Sequence, residues 1–543
     1  MRILSVVSGH DSSATIINDG EIELFLKEER YSGKKRDGDN QRIFDQLLLS
    51  GKLENLDYFF MQSDYKFGEY KRLIDVLRSN SPNVKIIQNL NKEHHLFHGF
   101  VSYVNSGFDK CLVVVNDSAG GYLGDVDDPT VFETDSVYIM NDNKVFKRYK
   151  RYYPMKPISE DIRKKVGQCD VEISYTKITV GNLYNTAALS MGESISDCGK
   201  AMGLASYGKP CSSLVDLMGV DGRDTIKKYF ENQPELLDLL DEKLDPYESK
   251  WENNITKDNY QLYADYCYEV QKQTSNHICN LVEKYVEDTG IRKVCISGGY
   301  GMNIVNNYNL TQKFPDVEFY FEPVCDDTGL SIGASMYIYS LVTDKRCVSN
   351  KTTFYHGFDH DLSSYNGENA GVKEVASILQ GNCSVGVFYG RAEAGQRALG
   401  NRSILFNPLN PDAKEIVNRI KRREWYRPFA AMVLEEDAHL YFENLCSNPS
   451  MTVCFPVKSD IIPGVTHVDG TSRVQTVDKN HFLYDLLQEF KQLTGHGILL
   501  NTSFNLAGKP LVESPQDAFK VLDESTLDCL WLFETKQLFK STF

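Results

Sequence analysis

Three short apolar runs in this chain each stop at a cluster of glycine, acidic and small polar residues, and that repetition narrows the folds open to it. Ile3–Val7 runs into Gly9-His10-Asp11-Ser12, Cys111–Val115 into Asn116-Asp117-Ser118-Ala119-Gly120, and Lys293–Ser297 into Gly298-Gly299. Runs of this length and composition read as buried strands. The first two lead into hairpins: Asn18-Asp19-Gly20 separates two apolar runs, and Asn141-Asp142-Asn143 follows Ser136–Met140. The third is expected to open a helix running through Asn307. Small residues at a strand end let backbone amides approach phosphates, and an aspartate there can hold a cation.

Two strand–Asp–hairpin units followed by a strand–Gly-Gly–helix unit make the layout of an actin-like ATPase fold, in which two α/β halves close on a nucleotide. With 543 residues the chain exceeds the roughly 250–300 that one hydrophobic core supports, so more than one domain is required. Periodicity fades around Thr343–Asn369, where Ser, Asn, Gly and Asp accumulate. From Val372 a helical pattern (VKEVASILQ) and a strand (SVGVFYG) begin a new α/β unit. The domains are therefore expected at 1–345 and 372–543, joined by a linker at 346–371. Polar stretches near 123–175 and 209–262 read as insertions, helical in part; LLDLLDEKL (236–244) and the run from Tyr266 both have apolar residues at three- and four-residue steps.

Composition excludes several functions. The net charge of −16 argues against binding nucleic acid through bulk charge, although a local basic groove stays open. No apolar run reaches the roughly 20 residues of a membrane span, and the start, MRILSVV before Ser8-Gly9, is too short for a secretory signal. Thirteen cysteines without CxxC spacing read as reduced, mostly buried thiols of a cytoplasmic protein.

Two constellations carry chemistry. His94 and His98 in EHHLFHGF are four apart, so on a helix both rings share one face, with His95 turned away. Alone, such a pair is more often packed in a core. Two carboxylates expected at exposed strand ends, Asp117 and Asp327, raise the metal reading, and the donor set suits iron, zinc or manganese. In the second half, Arg391, Arg397 and Arg402 lie among small residues, followed by Lys421, Arg422, Arg423 and Arg427 and then Arg473. Such a concentration of cations beside apolar neighbours, in an acidic chain, reads as an anion site. LLNTSFNLAGKPLV ends an apolar strand in small polar groups, where open α/β sheets bind ligands.

Taken in order across nearly the whole chain, GHDSSA, EERYSGKKRD, EHHLFH, VVVND, GKAMGLASYG, SGGYGMNIVNN, DDTGLSIGA, GRAEAGQRALGNRSI, KRREWYRPFA, HVDGTSRVQTV and LLNTSFNLAGKPLV resemble the NodU/CmcH-type O-carbamoyltransferases. The resemblance implies an actin-like N-terminal domain and a YrdC-like C-terminal domain. It implies that the latter converts carbamoyl phosphate and ATP, with Mg, to carbamoyl-adenylate. The former then transfers the carbamoyl group to an acceptor hydroxyl, on a small molecule or a hydroxymethylated nucleobase. Carried over by position, the metal ligands are His94, His98, Asp117 and Asp327. His10 and Lys35 are the catalytic candidates. Lys35, Asp117, Ser118, Gly120, Gly298, Gly299 and Asn303 form the N-terminal nucleotide site, and Arg397, Lys421, Arg427, Arg473, Ser503 and Asn505 the C-terminal carbamoyl phosphate and ATP site. The chain departs from the family at Arg36 (usually His), Ala394 and Gln396 (Phe and Pro), Trp425 (Pro) and Ala431 (Pro).

Two other readings compete. A tRNA threonylcarbamoyl-type modification enzyme is weakened by the acidic balance and by fusion of both domains. A non-catalytic actin-like nucleotide-binding module has no use for the second basic site.

Overall fold

Asp19 and Gly20 both adopt left-handed backbone (φ 48° and 88°), as do Asp142 and Asn143 (44° and 64°). Both turns therefore have the twist that joins neighbouring antiparallel strands, here Ser13–Asn18 to Glu21–Lys27 and Asp128–Asn141 to Lys144–Pro154. The computed structural model describes residues 1–62, 71–88, 90, 92–125, 128–154, 168–174, 178–194, 197–233, 255–348 and 355–541. The helical pattern expected at 236–244 lies outside the described residues.

The chain divides into two compact units. The first comprises Met1–Val7, Asn18–Glu21 and Leu53–Ser349; the second comprises Ser8–Ile17, Ile22–Lys52 and Asn350–Phe543. Both are α/β, as the sequence leads one to expect.

In the first unit, strands Arg2–Val7, Tyr58–Gln62 and Lys85–Ile87 run parallel. A separate sheet has the order Asp170–Ile173, Lys144–Pro154, Asp128–Asn141, Lys110–Asn116, Lys293–Ser297, Glu318–Phe321, with Tyr122–Asp125 also paired to Asp128–Asn141. Its central strands, Lys110–Asn116 and Lys293–Ser297, are parallel and buried along nearly their whole length, as all-apolar runs should be. Residues 128–154 do not form the partly helical insertion expected of them: they are two long strands of this sheet. In Lys144–Pro154 exposure alternates only over the first half, where Phe146 is exposed, while Lys150 and Arg151 are buried in ion pairs with Glu133 and Asp135, so hydropathy does not follow the strand period. Helix His94–Ser106 is buried along its entire length. Helix Leu330–Thr343 approaches it so closely that a Cβ on Gly333 would lie 2.0 Å from the Phe97 carbonyl oxygen. Helix Tyr260–Thr289 matches the apolar steps seen in its sequence.

The second unit is built on a nine-stranded sheet: Glu368–Asn369, Gln537–Lys540, Cys529–Leu532, Val385–Phe388, Arg402–Phe406, Ile498–Ser503, Ala430–Leu434, Thr471–Val477, Cys454–Pro456. One apolar cluster packs helices Val372–Gln380 and Tyr484–Thr494 onto it through Val375, Leu379, Leu486 and Phe490. Another brings in Ile420 and Val521 from helices Ala413–Lys421 and Pro515–Glu524. The thirteen cysteines are free, most of them buried. Among the described residues no helix is long and apolar enough to cross a membrane.

Candidate functional site

In the first unit, one helical turn separates His94 from His98, so both Nε2 atoms point the same way and lie 3.2 Å apart. Strand Lys110–Asn116 delivers Asp117 at its C-terminal end, and a 3₁₀ turn, Asp327–Gly329, delivers Asp327 ahead of helix Leu330–Thr343. His98 Nε2 is 3.3 Å from both Asp117 Oδ2 and Asp327 Oδ1; His94 Nε2 is 3.7 Å and 3.5 Å from the same atoms. One donor atom from each of the four residues falls within 4.8 Å of all the others.

The electrostatics of this cluster ask for a cation. Burial by itself would lower the His94 imidazolium, but Asp327 and Asp117 outweigh it and hold His94 up at about 10. His98 is raised in the same way, against its burial. Burial pushes the Asp117 carboxyl up, and its hydrogen bonds from His94 and His98 reverse this and hold it well below the usual carboxylate range. Two half-buried carboxylates facing two buried imidazoles are thus balanced either by protons on the rings or by a bound ion. Nitrogen and oxygen donors in this number fit a divalent ion of borderline softness.

The surrounding loop is set by close backbone approach. Gly298 has φ 84°, and a Cβ there would lie 2.4 Å from the Asn116 carbonyl oxygen. Ser118 donates its N–H to Asp117 Oδ1 at 2.7 Å, and the Gly299 N–H reaches Asp117 Oδ2 at 3.5 Å. The Gly120 N–H donates to the Glu133 carbonyl. A Cβ on Gly120 would meet His95 Nε2 at 2.2 Å. His95 itself bonds Ser136 and takes no part in the cluster, and burial pushes its imidazolium down to about 3. Asp117, Ser118, Gly120, Gly298 and Gly299 are therefore gathered around one strand end. The Asn303 side chain is spent within the protein: Oδ1 caps helix Ile304–Lys313 through the Asn306 N–H, and Nδ2 donates to Tyr184 and Gln271. His10 and Lys35 belong to the second unit. There His10 is half-exposed, with Nδ1 3.5 Å from Asp11 Oδ2, and Lys35 is exposed.

The second unit assembles its cations around the end of strand Ile498–Ser503. Lys421, the last residue of its helix, is buried and donates to the backbone carbonyls of Ser503 and Asn505 and to Asn505 Oδ1. Ser503 Oγ donates to Asn505 Oδ1 at 2.7 Å. Arg473 enters from the neighbouring part of the sheet, where both Arg473 and Asn501 pair with Ala430. Burial lowers the proton affinity of Lys421 and Arg473. Arg423 and Arg427 lower both further, and Arg397 acts with them on Arg473. The loop bearing Arg397 is fixed on both flanks. Glu393 Oε1 accepts the Leu399 and Arg402 N–H groups, Gln475 donates to the Leu399 carbonyl, and Asn501 to the Ala398 carbonyl.

Arg423 belongs to this group although the assigned set omitted it. Its guanidinium sits 5.4 Å from the centre of the Phe429 ring and bonds Thr502 Oγ1 at 3.4 Å. The signal was the dyad spacing Lys421-x-Arg423: Arg422 between them takes a left-handed backbone (φ 54°) that ends the helix and turns its own side chain away to the Glu524 carbonyl. Arg391 and Arg402 stay outside the group; Arg391 pairs with Asp359, and Arg402 is buried against the Tyr389 and Gly390 carbonyls.

Residues 53–336 match the family model described as the carbamoyltransferase N-terminus, and residues 376–537 match that of the carbamoyltransferase C-terminus. The chain is 29% identical to an uncharacterised protein of Methanocaldococcus jannaschii over 81% of its own length and 72% of the relative's. It is 27% identical to the nodulation protein NolNO of Sinorhizobium fredii over 96% of its own length and 78% of that protein's. Among solved structures, full-length HypF in its phosphate- and nucleotide-bound form aligns with 65% of this chain and 47% of its own, at 13% identity and a TM-score of 0.34, a likeness too loose to inform fold or chemistry. With the N-terminal model alone spanning more than half of the chain and the C-terminal model following it in order, the chain belongs to the carbamoyltransferase family.

Proposed function

We propose that the protein is an ATP-dependent O-carbamoyltransferase that acts in two stages. In the first, carbamoyl phosphate, ATP and one water yield carbamoyl-adenylate, phosphate and pyrophosphate. In the second, the carbamoyl group moves to an acceptor hydroxyl and AMP leaves. The acceptor is a small hydroxylated molecule or a hydroxymethylated nucleobase, and the setting is cytoplasmic. The division of labour follows residues 1–345 and 372–543, with the linker at 346–371.

The observation that carries this reading is the cation group of the second unit. Lys421, Arg423, Arg427 and Arg473, with Arg397, lie near enough to lower one another's proton affinity, and Glu424 pairs with Arg427 at 3.3 Å. Cations that lower one another's proton affinity favour a polyanionic guest, as triphosphate and carbamoyl phosphate are. Ser503 and Asn505, already tied to Lys421, would orient that guest. In the first unit, the amides of Ser118, Gly298 and Gly299 would meet the adenylate's phosphate, with Asn303 holding the loop. His10 is the group proposed to take the proton from the acceptor hydroxyl. A divalent ion (iron, zinc or manganese) held by His94, His98, Asp117 and Asp327 would supply Lewis-acid polarisation of the carbamoyl carbonyl; Mg would accompany ATP.

The test is release of pyrophosphate from ATP by the purified protein. Release that requires carbamoyl phosphate supports the reading; release without it, or none, overturns it.

A further inference from the structure

Leu399, two residues beyond Arg397, is gripped at both ends of its peptide groups. Its N–H is taken by Glu393; its carbonyl accepts from Gln475 Nε2 at 2.9 Å and faces His481 Nε2 at 3.0 Å. The His481 ring comes from the segment after strand Thr471–Val477. There Asp478 turns the chain, its carboxylate accepting the Asn480 N–H and Nδ2, and helix Tyr484–Thr494 begins after Leu483. The Leu483 N–H donates to His481 Nδ1 at 3.2 Å. One proton placement satisfies both contacts: Nδ1 is bare and accepts from Leu483, while Nε2 carries the proton and donates to the Leu399 carbonyl. A second proton, on Nδ1, would confront the Leu483 N–H. Burial pushes the His481 imidazolium down, against the Leu399 carbonyl and Asp478, so the ring is neutral near pH 7.

The contact is built from both sides. Gly400 has φ 120°, and a Cβ there would lie 3.0 Å from His481 Cε1, 3.1 Å from Leu483 Cδ1 and 3.2 Å from Phe482 Cε1, so glycine lets the turn sit against the ring. Behind the ring is a stack: His481 lies against Phe482 with centroids 5.0 Å apart, and Phe482 against Tyr389 at 4.0 Å. The Tyr389 N–H donates to the Asn401 carbonyl, just past the same turn. We propose that His481 is a positioning residue, its Nε2–H holding the Leu399 carbonyl so that Arg397 is kept within the cation group of the second unit. This role rests on the two-stage reading for what the cation group binds, and on the ring's own contacts for how the turn is held.

Two amide substitutions separate the ring's two nitrogens. Asparagine puts its carboxamide where Nδ1 was and stops short of Leu399; glutamine reaches to where Nε2 was and gives up the bond from Leu483. Each loses one bond, so melting temperatures should fall alike. Inorganic pyrophosphate is the probe, titrated calorimetrically into the full-length protein, with Arg397→Ala as the reference for a lost cation. Wild type binds, His481→Asn binds about five- to tenfold more weakly, and His481→Gln stays within about threefold of wild type. A role confined to capping the helix gives the opposite order and overturns the assignment. So do equal losses in both variants, no loss in either, or no pyrophosphate binding by wild type. If an amide variant does not fold, Gly400→Ala, which pushes the turn off the ring, replaces it: binding at least about fivefold weaker supports the assignment and unchanged binding overturns it. Carbamoyl phosphate-dependent pyrophosphate release is read separately: a wild type that binds pyrophosphate but releases none from ATP sinks the two-stage reading and leaves the His481 result standing.

Discussion

His98 Nε2 stands 3.2 Å from His94 Nε2, closer than two imidazoles settle without a shared proton or ion between them and their acceptors. Asp117 and Asp327 close the other side at 3.3–3.7 Å. His94→Ala or His98→Ala should therefore weaken divalent metal binding by at least ~100-fold, because each removes one of only two nitrogen donors. Pyrophosphate release, assigned to the other unit, should persist in both variants while carbamoyl transfer is lost. Metal content and pyrophosphate measured on one preparation check this; if both half-reactions fall together with the melting temperature, the histidines are only core residues.

The same cluster fixes the pH dependence of metal binding. In the metal-free protein burial lowers the His94 imidazolium and the two aspartates raise it, with the balance at about 10. A metal must therefore displace a proton at neutral pH, and affinity should rise as pH rises from about 6.5 to about 8. Calorimetric titration with zinc in buffers of different ionisation enthalpy measures both the affinity and the released proton. An affinity that falls with pH over this range contradicts the assignment of His94 as a ligand.

In the second unit, Lys421→Ala and Arg473→Ala should each lower carbamoyl phosphate-dependent pyrophosphate release by ~10- to 100-fold, from loss of charged hydrogen bonds worth ~1.5–3 kcal/mol. Arg423→Ala should act alike, whereas Arg422→Ala, whose side chain points to the Glu524 carbonyl, should leave the rate near wild type. Metal content should be unchanged in all four. A rate loss in Arg422→Ala equal to that in Arg423→Ala removes the case for adding Arg423 to the site.

Gly298 and Gly290 separate strain from contact. Both have left-handed φ (84° and 67°), but a Cβ at 298 would meet the Asn116 carbonyl at 2.4 Å, and one at 290 has nothing within 4 Å. Gly290→Ala should cost about 1 kcal/mol of stability from strain alone and leave metal binding intact. Gly298→Ala should cost roughly 1–3 kcal/mol or more and weaken the metal, because the displaced Asn116 backbone carries Asp117 with it. Equal metal affinity in the two variants would show that Asp117 is not positioned by this approach.

Much of this was legible in residues whose local chemistry has one structural outlet. Asp19-Gly20 and Asp142-Asn143 could only be tight turns, and a helix bearing His94 and His98 had to put both on one face. Residues 144–154 were harder, because KVFKRYKRYYP buries Lys150 and Arg151 and exposes Phe146, so it resembles a polar insertion. Asn303 illustrates the other limit: its place after Gly298-Gly299 marks a loop near a ligand, but only the fold reveals Tyr184 and Gln271, from two distant helices, taking its amide. The Arg30 guanidinium donates to the Glu393 carbonyl from more than 350 positions away in sequence, and no local pattern announces it.

Glu322 offers a test of the first unit's interior. It directly follows the edge strand Glu318–Phe321, is 1% exposed, and accepts hydrogen bonds from the Val324 N–H, from Asn105 Nδ2 and from Tyr320 Oη. Burial outweighs these bonds and pushes its carboxyl up to about 7. Because the folded value lies above the unfolded one, the folded state holds this proton more tightly. Stability is then greatest below the ordinary carboxylate range and falls as pH climbs from about 4.5 to about 7, by an amount of order 3 kcal/mol at most. Glu322→Gln has no proton to lose. It should cost some stability at pH ~5, where its amide nitrogen would face a donor whose bond the Glu322 carboxyl now accepts. Relative to wild type, its melting temperature should then rise steadily toward pH ~8. Melting curves of the two proteins across this range decide the matter: a difference that stays constant with pH means that Glu322 is ionised in the folded protein, paired with a cation, and that its burial is not what sets its proton affinity.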